Sequence, residues 1–338
     1  MTYAVESDIG ATKRQSGGVN EDSAGVVPLT LTVDGTDHTA EIVVVADGAG
    51  GHDAGEVASY LAVNRVVERL VEAVTTPTAH DLSSLEGRID APFRATPAEV
   101  EEAIEAAIEA ANEDILSFCA EERTEAHTTV VAGVRIGGRL HYGWVGDSRA
   151  YVLNAIRDEI VPLTTDHAVV QRLRDAGEID DVEALVHPRG NEITRALGGS
   201  GQQDPETATV GVETATVPLY REDVLLVTSD GLLDAQTEAA KLYEWYVDAG
   251  RDDEMAAVVR DRSVTDDEIR ECVLSAPSLE DAAADLVSMA NERGGKDNLS
   301  TILLHDATLP ETPDDPPSRT IGAEPAVEDR ETLVGSGN

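Results

Sequence analysis

The sequence predicts an α+β fold of the two-sheet kind, antiparallel β-sheets flanked by helix pairs, and three observations carry that expectation. Short runs rich in β-branched residues recur along the chain, and several are joined by tight-turn signals such as Asp34-Gly35 and Gly137-Gly138. Longer segments repeat their apolar residues at helical spacing. Strands and helices come in runs, without the strict βαβ alternation of a parallel sheet.

Taken in order, strands are expected at 2–8, 25–33 and 39–46, the latter two facing each other across Asp34-Gly35. Asp47-Gly48 differs from that turn, because the segment downstream of it, "GEVASYLAVNRVVERLVEAV", has helical periodicity. This second Asp-Gly is therefore expected at a strand-to-helix corner ahead of a helix over 53–73. A second helix, 97–118, opens with Thr96-Pro97-Ala98-Glu99, a capping box with proline at the first helical position. Further strands are expected at 128–136, 139–146 and 149–153, then a helix over 167–176 that stops at Gly177. Strands at 208–215 and 223–229, a helix over 278–293 opened by Ser278 and Asp281, and a last strand at 299–305 complete the domain, which spans 1–308. From Pro310 the chain is acidic and proline-rich with almost no apolar periodicity, so 309–338 is expected to be a disordered tail.

Composition bounds the function. The chain has 338 residues, 41% of them hydrophobic, enough to bury a sizeable core and fold alone as a monomer. Sixty-six acids against 25 bases leave a net charge of −41, a surface that repels nucleic acid and anionic membrane. Such a surface suits a salt-rich, halophilic cytoplasm in which ions screen the self-repulsion. Cys119 and Cys272 stand far apart and form neither a disulfide framework nor a CxxC site. No signal segment or membrane-length apolar run is present, which points to a cytoplasmic protein.

The acids at strand ends carry the chemistry. Asp47 ends "VVVADG", Asp230 ends "LLVTSDG", and Asp147 lies between two strands in "VGDSRAY". Asp297 precedes the final strand and Glu21-Asp22 an early one. Any one of them alone reads as a turn residue. Gathered at one sheet edge they would repel each other, and a shared cation removes that penalty. Oxygen ligands without histidine or cysteine favour Mg²⁺ or Mn²⁺, and glycine after the acid lets a carbonyl or a bound water come close.

With "NED", "VADGAGGH", "VGDSRAY", "LTTDHAVVQRLRDAGEI", "HPRGNEITRALGG", "LLVTSDGL" and "GGKDNLSTILL" in that order from about Tyr3 to Asp306, the chain resembles the metal-dependent Ser/Thr protein phosphatases (the PPM family, protein phosphatase type 2C), in its bacterial-type branch. The resemblance implies a β-sandwich with a metal pair, Mn²⁺ or Mg²⁺, at one edge. Asp47 would bridge both ions and Gly48 would offer its carbonyl to one. Asp230 and Asp297 would complete the other shell, Glu21 or Asp22 would act through bound water, and Asp147 would help hold a weaker third ion. Residues 166–190 would form a mobile flap, with Asn191, Thr194 and Arg195 as scaffold.

The implied reaction is attack by a metal-bridged hydroxide on phosphoserine or phosphothreonine in a phosphoprotein, without a protein nucleophile. Neither a Cys-x5-Arg loop nor a G-x-S-x-G elbow is present, in keeping with that. Asn298 would orient Asp297 or serve as a turn residue. Two departures from the family pattern stand out. Gly17 occupies the usual place of the phosphate-holding arginine, so either Arg14 swings into that role on the Gly-Gly loop or phosphate binding is weaker or shared with Lys13. Ala49 comes after the Asp-Gly where animal-type members have histidine, so His52 is the nearest leaving-group acid or else a helix-start residue. Two other functions share this fold: a catalytically weak regulatory or binding protein, and a hydrolase of small phosphoesters such as nucleotides. A Ser/Thr kinase would oppose the phosphatase. Thr320 and Thr332, each close behind an arginine, would, once phosphorylated, dock the tail on a domain that reads phosphothreonine.

Overall fold

A computed structural model describes residues 1–33, 35–50, 54–75, 96–200, 202–205 and 207–319. β2 (Asp22–Val33) and β3 (Thr36–Gly50) form a hairpin whose register sets Val33 opposite Thr36, so the turn has the two residues its Asp-Gly signal demands. β5 (Val130–Ile136) and β6 (Arg139–Val145) close in the same way around Gly137-Gly138. With β4 (Glu125–Thr128), β9 (Leu197–Ser200) and β10 (Glu213–Pro218) they make an antiparallel sheet of seven strands, ordered β10-β6-β5-β3-β4-β9, with β2 also paired to β3. The second sheet has five strands in the order β1 (Thr2–Asp8), β12 (Leu299–His305), β11 (Asp223–Thr228), β7 (Arg149–Asn154) and β8 (Glu159–Pro162).

The unbroken apolar run of β3 reflects burial on both faces. Val43 and Val45 point into the sandwich, where Val131, Tyr142 and Trp144 meet Val152, Leu225, Val227, Ile302 and Leu304 of the facing sheet. Ile42, Val44 and Ala46 point the other way, against α2 (Ala54–Thr75) and α3 (Pro97–Glu122). On the outer face of the five-stranded sheet, Tyr151, Leu153, Leu226 and Leu303 pack on α8 (Asp266–Ser275) and α9 (Leu279–Arg293). Each fully buried aliphatic side chain in these layers contributes about 1.5–3 kcal/mol. α3 opens on the expected capping box at Thr96, and α9 on Ser278, whose hydroxyl accepts from Asp281 N–H.

Several elements differ from the sequence reading. β3 does not end at Asp47: Gly48, Ala49 and Gly50 continue it and pair with Thr128, His127 and Ala126 of β4. The next described residue after Gly50 is Ala54; 51–53, His52 among them, lie outside the described residues. The run 128–136 is two strands separated at Thr129, whose N–H turns to Asp47 O. The strand expected at 208–215 begins only at Glu213, where pairing with β6 starts. α1 (Ala11–Gln15), β8 and β9 are too short to show a period.

In the flap segment, α4 (Val169–Asp175) and α5 (Asp181–Val186) are joined later in the chain by α6 (Ala239–Asp248) and α7 (Asp253–Arg262). Val182 and Val186 of α5 share a separate small core with Leu242, Tyr246, Ala256 and Val259 of these two helices.

Residues 310–319, assigned by composition to a disordered tail, lie against the five-stranded sheet. Arg221 N–H donates to Pro310 O at 2.8 Å, and Thr312 donates to Glu222 through both its N–H and its hydroxyl. Arg319 is buried, paired with both oxygens of Asp223 and stacked 5.0 Å from the Tyr220 ring. Thr320 and Thr332 lie outside the described residues.

Candidate metal centre

The register of β2 on β3 places Asp22 directly opposite Asp47. The backbone of Asp47 is fixed on both sides: its N–H donates to Thr129 Oγ1, and its carbonyl accepts from Thr129 N–H and the Thr128 hydroxyl. The next residue must be glycine, because a Cβ at Gly48 would stand 2.1 Å from Gly55 O and 2.6 Å from Glu21 O. That close approach brings Glu21 and the start of α2 up to Asp47. Asp230 opens a short 3₁₀ turn at the end of β11, and Asp297 sits just before β12. These strand ends gather on one edge of the sandwich.

Burial and like charge mark the group. Burial pushes Asp22 up to about 6, against the hydrogen bonds from Ser229 and Ser300. Asp47 is pushed well above the carboxylate range by burial and then by Asp22, Asp230 and Asp297. Asp230 is raised in the same way by burial and by Asp147, Asp234 and Asp297. Asp147, beyond β6, is raised to about 8 by burial, Asp166 and Asp234.

Asp234 was not singled out by sequence, although "SDGLLD" contains it. It stands one helical turn after Asp230, a spacing that could have flagged it. With Asp147 and Asp230 it lines a cavity of about 50 Å³ that Val170, Ala184 and Gly190 of the flap border. Ser229 is a second residue not singled out: its hydroxyl donates to Asp22 Oδ2 at 2.7 Å and accepts from Ser300 N–H.

Cations of the chain enter the group at one side. Lys13 Nζ lies 2.8 Å from Asp297 Oδ1, 2.8 Å from Asn298 Oδ1 and 3.1 Å from Glu21 Oε2. Burial works against its charge, but Asp297 and Glu21 hold the ammonium above the ordinary lysine range. Arg14 is turned away, half exposed and paired with Asp8. Asn298 serves as a hub, accepting from Glu21 N–H as well as from Lys13 and donating to Ile9 O and Val19 O. Its side chain thus holds Glu21 and Lys13, while only its backbone N–H reaches Asp297 Oδ1.

The segment 166–190, expected to be a flap, is fastened at its start. Arg149 grips Asp166 with two hydrogen bonds, at 2.9 and 2.6 Å. His167 accepts from Gly146 N–H and faces Glu213, which also meets Arg195. Thr194 N–H donates to His167 O, and Asn191 accepts from Lys296.

Among the described residues no three acidic, histidine or cysteine side chains stand as a finished cage for an ion. The fit to a divalent cation rests instead on unsatisfied oxygens: Asp22 Oδ1 and Asp230 Oδ1 are buried with no hydrogen-bond partner. A buried carboxylate oxygen left unpaired is costly unless a cation or a proton meets it. The donors are all oxygen, the chemistry of Mg²⁺ and Mn²⁺.

Residues 9–261 match the family model described as "Protein phosphatase 2C". The chain is 30% identical over 287 residues to the serine/threonine phosphatase stp of Listeria innocua, covering 84% of this chain and 89% of that one. It superposes on the crystal structure of the Mycobacterium tuberculosis serine/threonine phosphatase PstP/Ppp with a TM-score of 0.63 and 27% identity, covering 90% of this chain and 99% of the other. The catalytic domain of PstP in complex with two manganese ions superposes with a TM-score of 0.59 at 26% identity, over 89% and 96% of the two chains.

Proposed function

The chain belongs to the protein phosphatase 2C family, and from that membership we infer a metal-dependent serine/threonine protein phosphatase that hydrolyses phosphoserine and phosphothreonine in proteins. The observation that supports the reading most directly is the pairing of Asp22 with Asp47 across β2 and β3, with buried, unsatisfied oxygens on Asp22 and Asp230. Asp47, Asp230 and Asp297 would hold one ion. Glu21 or Asp22 would support that ion through water, Asp47 and the Gly48 carbonyl would hold the other, and Asp147, beside Asp234, a third. When bound, Mn²⁺ or Mg²⁺ supplies Lewis acidity that acidifies water and neutralises the phosphoryl oxygens.

The chain's own residues prepare the site for that chemistry. Ser229 fixes the carboxylate plane of Asp22, Thr128 and Thr129 fix the backbone of Asp47, and Asn298 keeps Glu21 beside Lys13. The flap, at 166–190, borders the cavity that Asp147 lines and stands where a phosphoprotein would approach. Arg14 would have to leave Asp8 to reach a substrate phosphate, whereas His52 is proposed as the acid that protonates the leaving oxygen.

Beyond the reaction, we place the protein in a salt-rich cytoplasm and expect an opposing Ser/Thr kinase. Thr320 and Thr332 are proposed as tail sites for a phosphothreonine-reading partner. Among the described residues no helix is long and apolar enough to cross a membrane.

The test is phosphate release from a phosphothreonine peptide, p-nitrophenyl phosphate and nucleotides, with Mn²⁺ and with chelator. Mn²⁺-dependent release from the peptide is expected. Release from nucleotides alone, or release that survives the chelator, would overturn the reading.

A further inference from the structure

We propose that Lys13 is an exchangeable cation of the carboxylate centre: its ammonium holds the place between Glu21 and Asp297 that a divalent ion claims, so the ion binds only as Lys13 leaves. The proposal deepens the phosphatase reading and rests on it.

An ammonium has three N–H donors, and all three of Lys13 are directed at this centre, to Asp297, Asn298 and Glu21. Both acids belong to the group assigned to the metal pair. A divalent ion drawing on the charge of Asp297 and Glu21 takes away what holds the ammonium, and two cations between the same carboxylates repel each other. The neighbouring base does not compete, because Arg14 is committed to Asp8 on the other side of α1.

The local backbone keeps Lys13 at the centre. Thr12 N–H donates to Gly295 O, the Thr12 hydroxyl to Gly294 O, and Ala11 N–H to Asn291 Oδ1, so α1 starts on the loop that carries Asp297. On its other side α1 runs out into Gly17 and Gly18, and the Lys13 stem lies against Gly18, where a Cβ would stand 2.6 Å from Lys13 Cγ. The lysine stem is flexible and its side chain 22% exposed, so the ammonium would leave by turning outward toward solvent.

Calorimetric titration of Mn²⁺ into the full chain tests the exchange, comparing the wild type with Lys13→Met and Lys13→Arg. Lys13→Met is expected to bind Mn²⁺ roughly 5- to 50-fold more tightly, the size of an ordinary coupling between two binding events, while Lys13→Arg gains nothing. Affinity in Lys13→Met equal to or weaker than wild type overturns the proposal. A wild-type chain that takes up no Mn²⁺ would instead overturn the metal-centre reading beneath it.

A second measurement needs no variant and so does not depend on how one folds. The chain has three lysines, Lys13, Lys241 and Lys296, so amine acetylation and then peptide mass spectrometry reports each one. Adding Mn²⁺ should raise the labelling of Lys13 severalfold relative to Lys241. Unchanged or reduced labelling of Lys13 would show that the ammonium stays where it is.

Discussion

Asp230 stands where burial and the charges of Asp147, Asp234 and Asp297 all favour its neutral form. A carboxyl with a raised folded-state pKa destabilises the fold once pH climbs above the ordinary carboxylate range, because only the unfolded chain ionises it freely. Asp230→Asn keeps the shape and removes that cost. In chelator at neutral pH the variant should therefore melt at a higher temperature than the wild type. It should also lose the rise in melting temperature that Mn²⁺ gives the wild type, and with it roughly 100- to 1000-fold of Mn²⁺-dependent turnover, since a metal ligand contributes several kcal/mol in the transition state. Ser229→Ala is expected to act differently, costing about 1–3 kcal/mol of stability in denaturant unfolding by leaving Asp22 Oδ2 and Ser300 N–H without their partner. Asp47, Asp230 and Asp297 were legible in the sequence because each sits beside an apolar strand run. Ser229 was not, and Lys13 was expected at a substrate phosphate and not on Asp297, since their partners lie 207 and 284 residues away and only the packing of the strands brings them together.

The segment 166–190 owes its position to helices that come much later in the chain. Asp180 caps α5 and also accepts from the Tyr246 hydroxyl of α6 at 3.0 Å, while Arg251, between α6 and α7, reaches Glu183 at 2.7 Å. The hydrogen bond from Arg251 holds Glu183 below its usual range, with burial opposing. For an acid lowered in the folded state, the stabilisation is complete above the ordinary glutamate range and is lost as pH falls through and below it. Hydrogen exchange should then show 178–190 opening ahead of the sandwich on acidification. Arg251→Ala should produce the same selective opening already at neutral pH, with little change in the global melting temperature; uniform protection across the chain in that variant would contradict it. None of this was legible in "DVEALV", where six residues give a single apolar stripe and no hint of what covers it. α1, β8 and β9 escaped detection for the same reason. β3 ran past its expected end because its last residues are held by β4, a pairing that local β-propensity does not encode.

At the scale of the whole molecule, the two sheets are tied at several points, one of them the buried Arg135, which meets Glu41 on its own sheet and Asp306 beyond the last strand of the other. Such internal pairing is local, and the chain as a whole remains far from neutral, with 66 acids and 25 bases. Folding compresses a net charge of −41 into one compact body, while the unfolded chain spreads the same charges over a larger volume. Screening therefore favours the folded state, and it does so most steeply where the Debye length shrinks from about 30 Å at 0.01 M salt to about 3 Å at 1 M. The melting temperature in chelator should climb sharply with KCl over that range and then flatten. At the low end, small-angle scattering should report a larger radius of gyration that contracts as KCl is added. A neutral osmolyte at matched osmolarity should not reproduce the steep part of the curve, because it screens nothing. A melting temperature that is flat in KCl would mean that the acids are neutralised within the structure and that the protein needs no salt-rich surroundings.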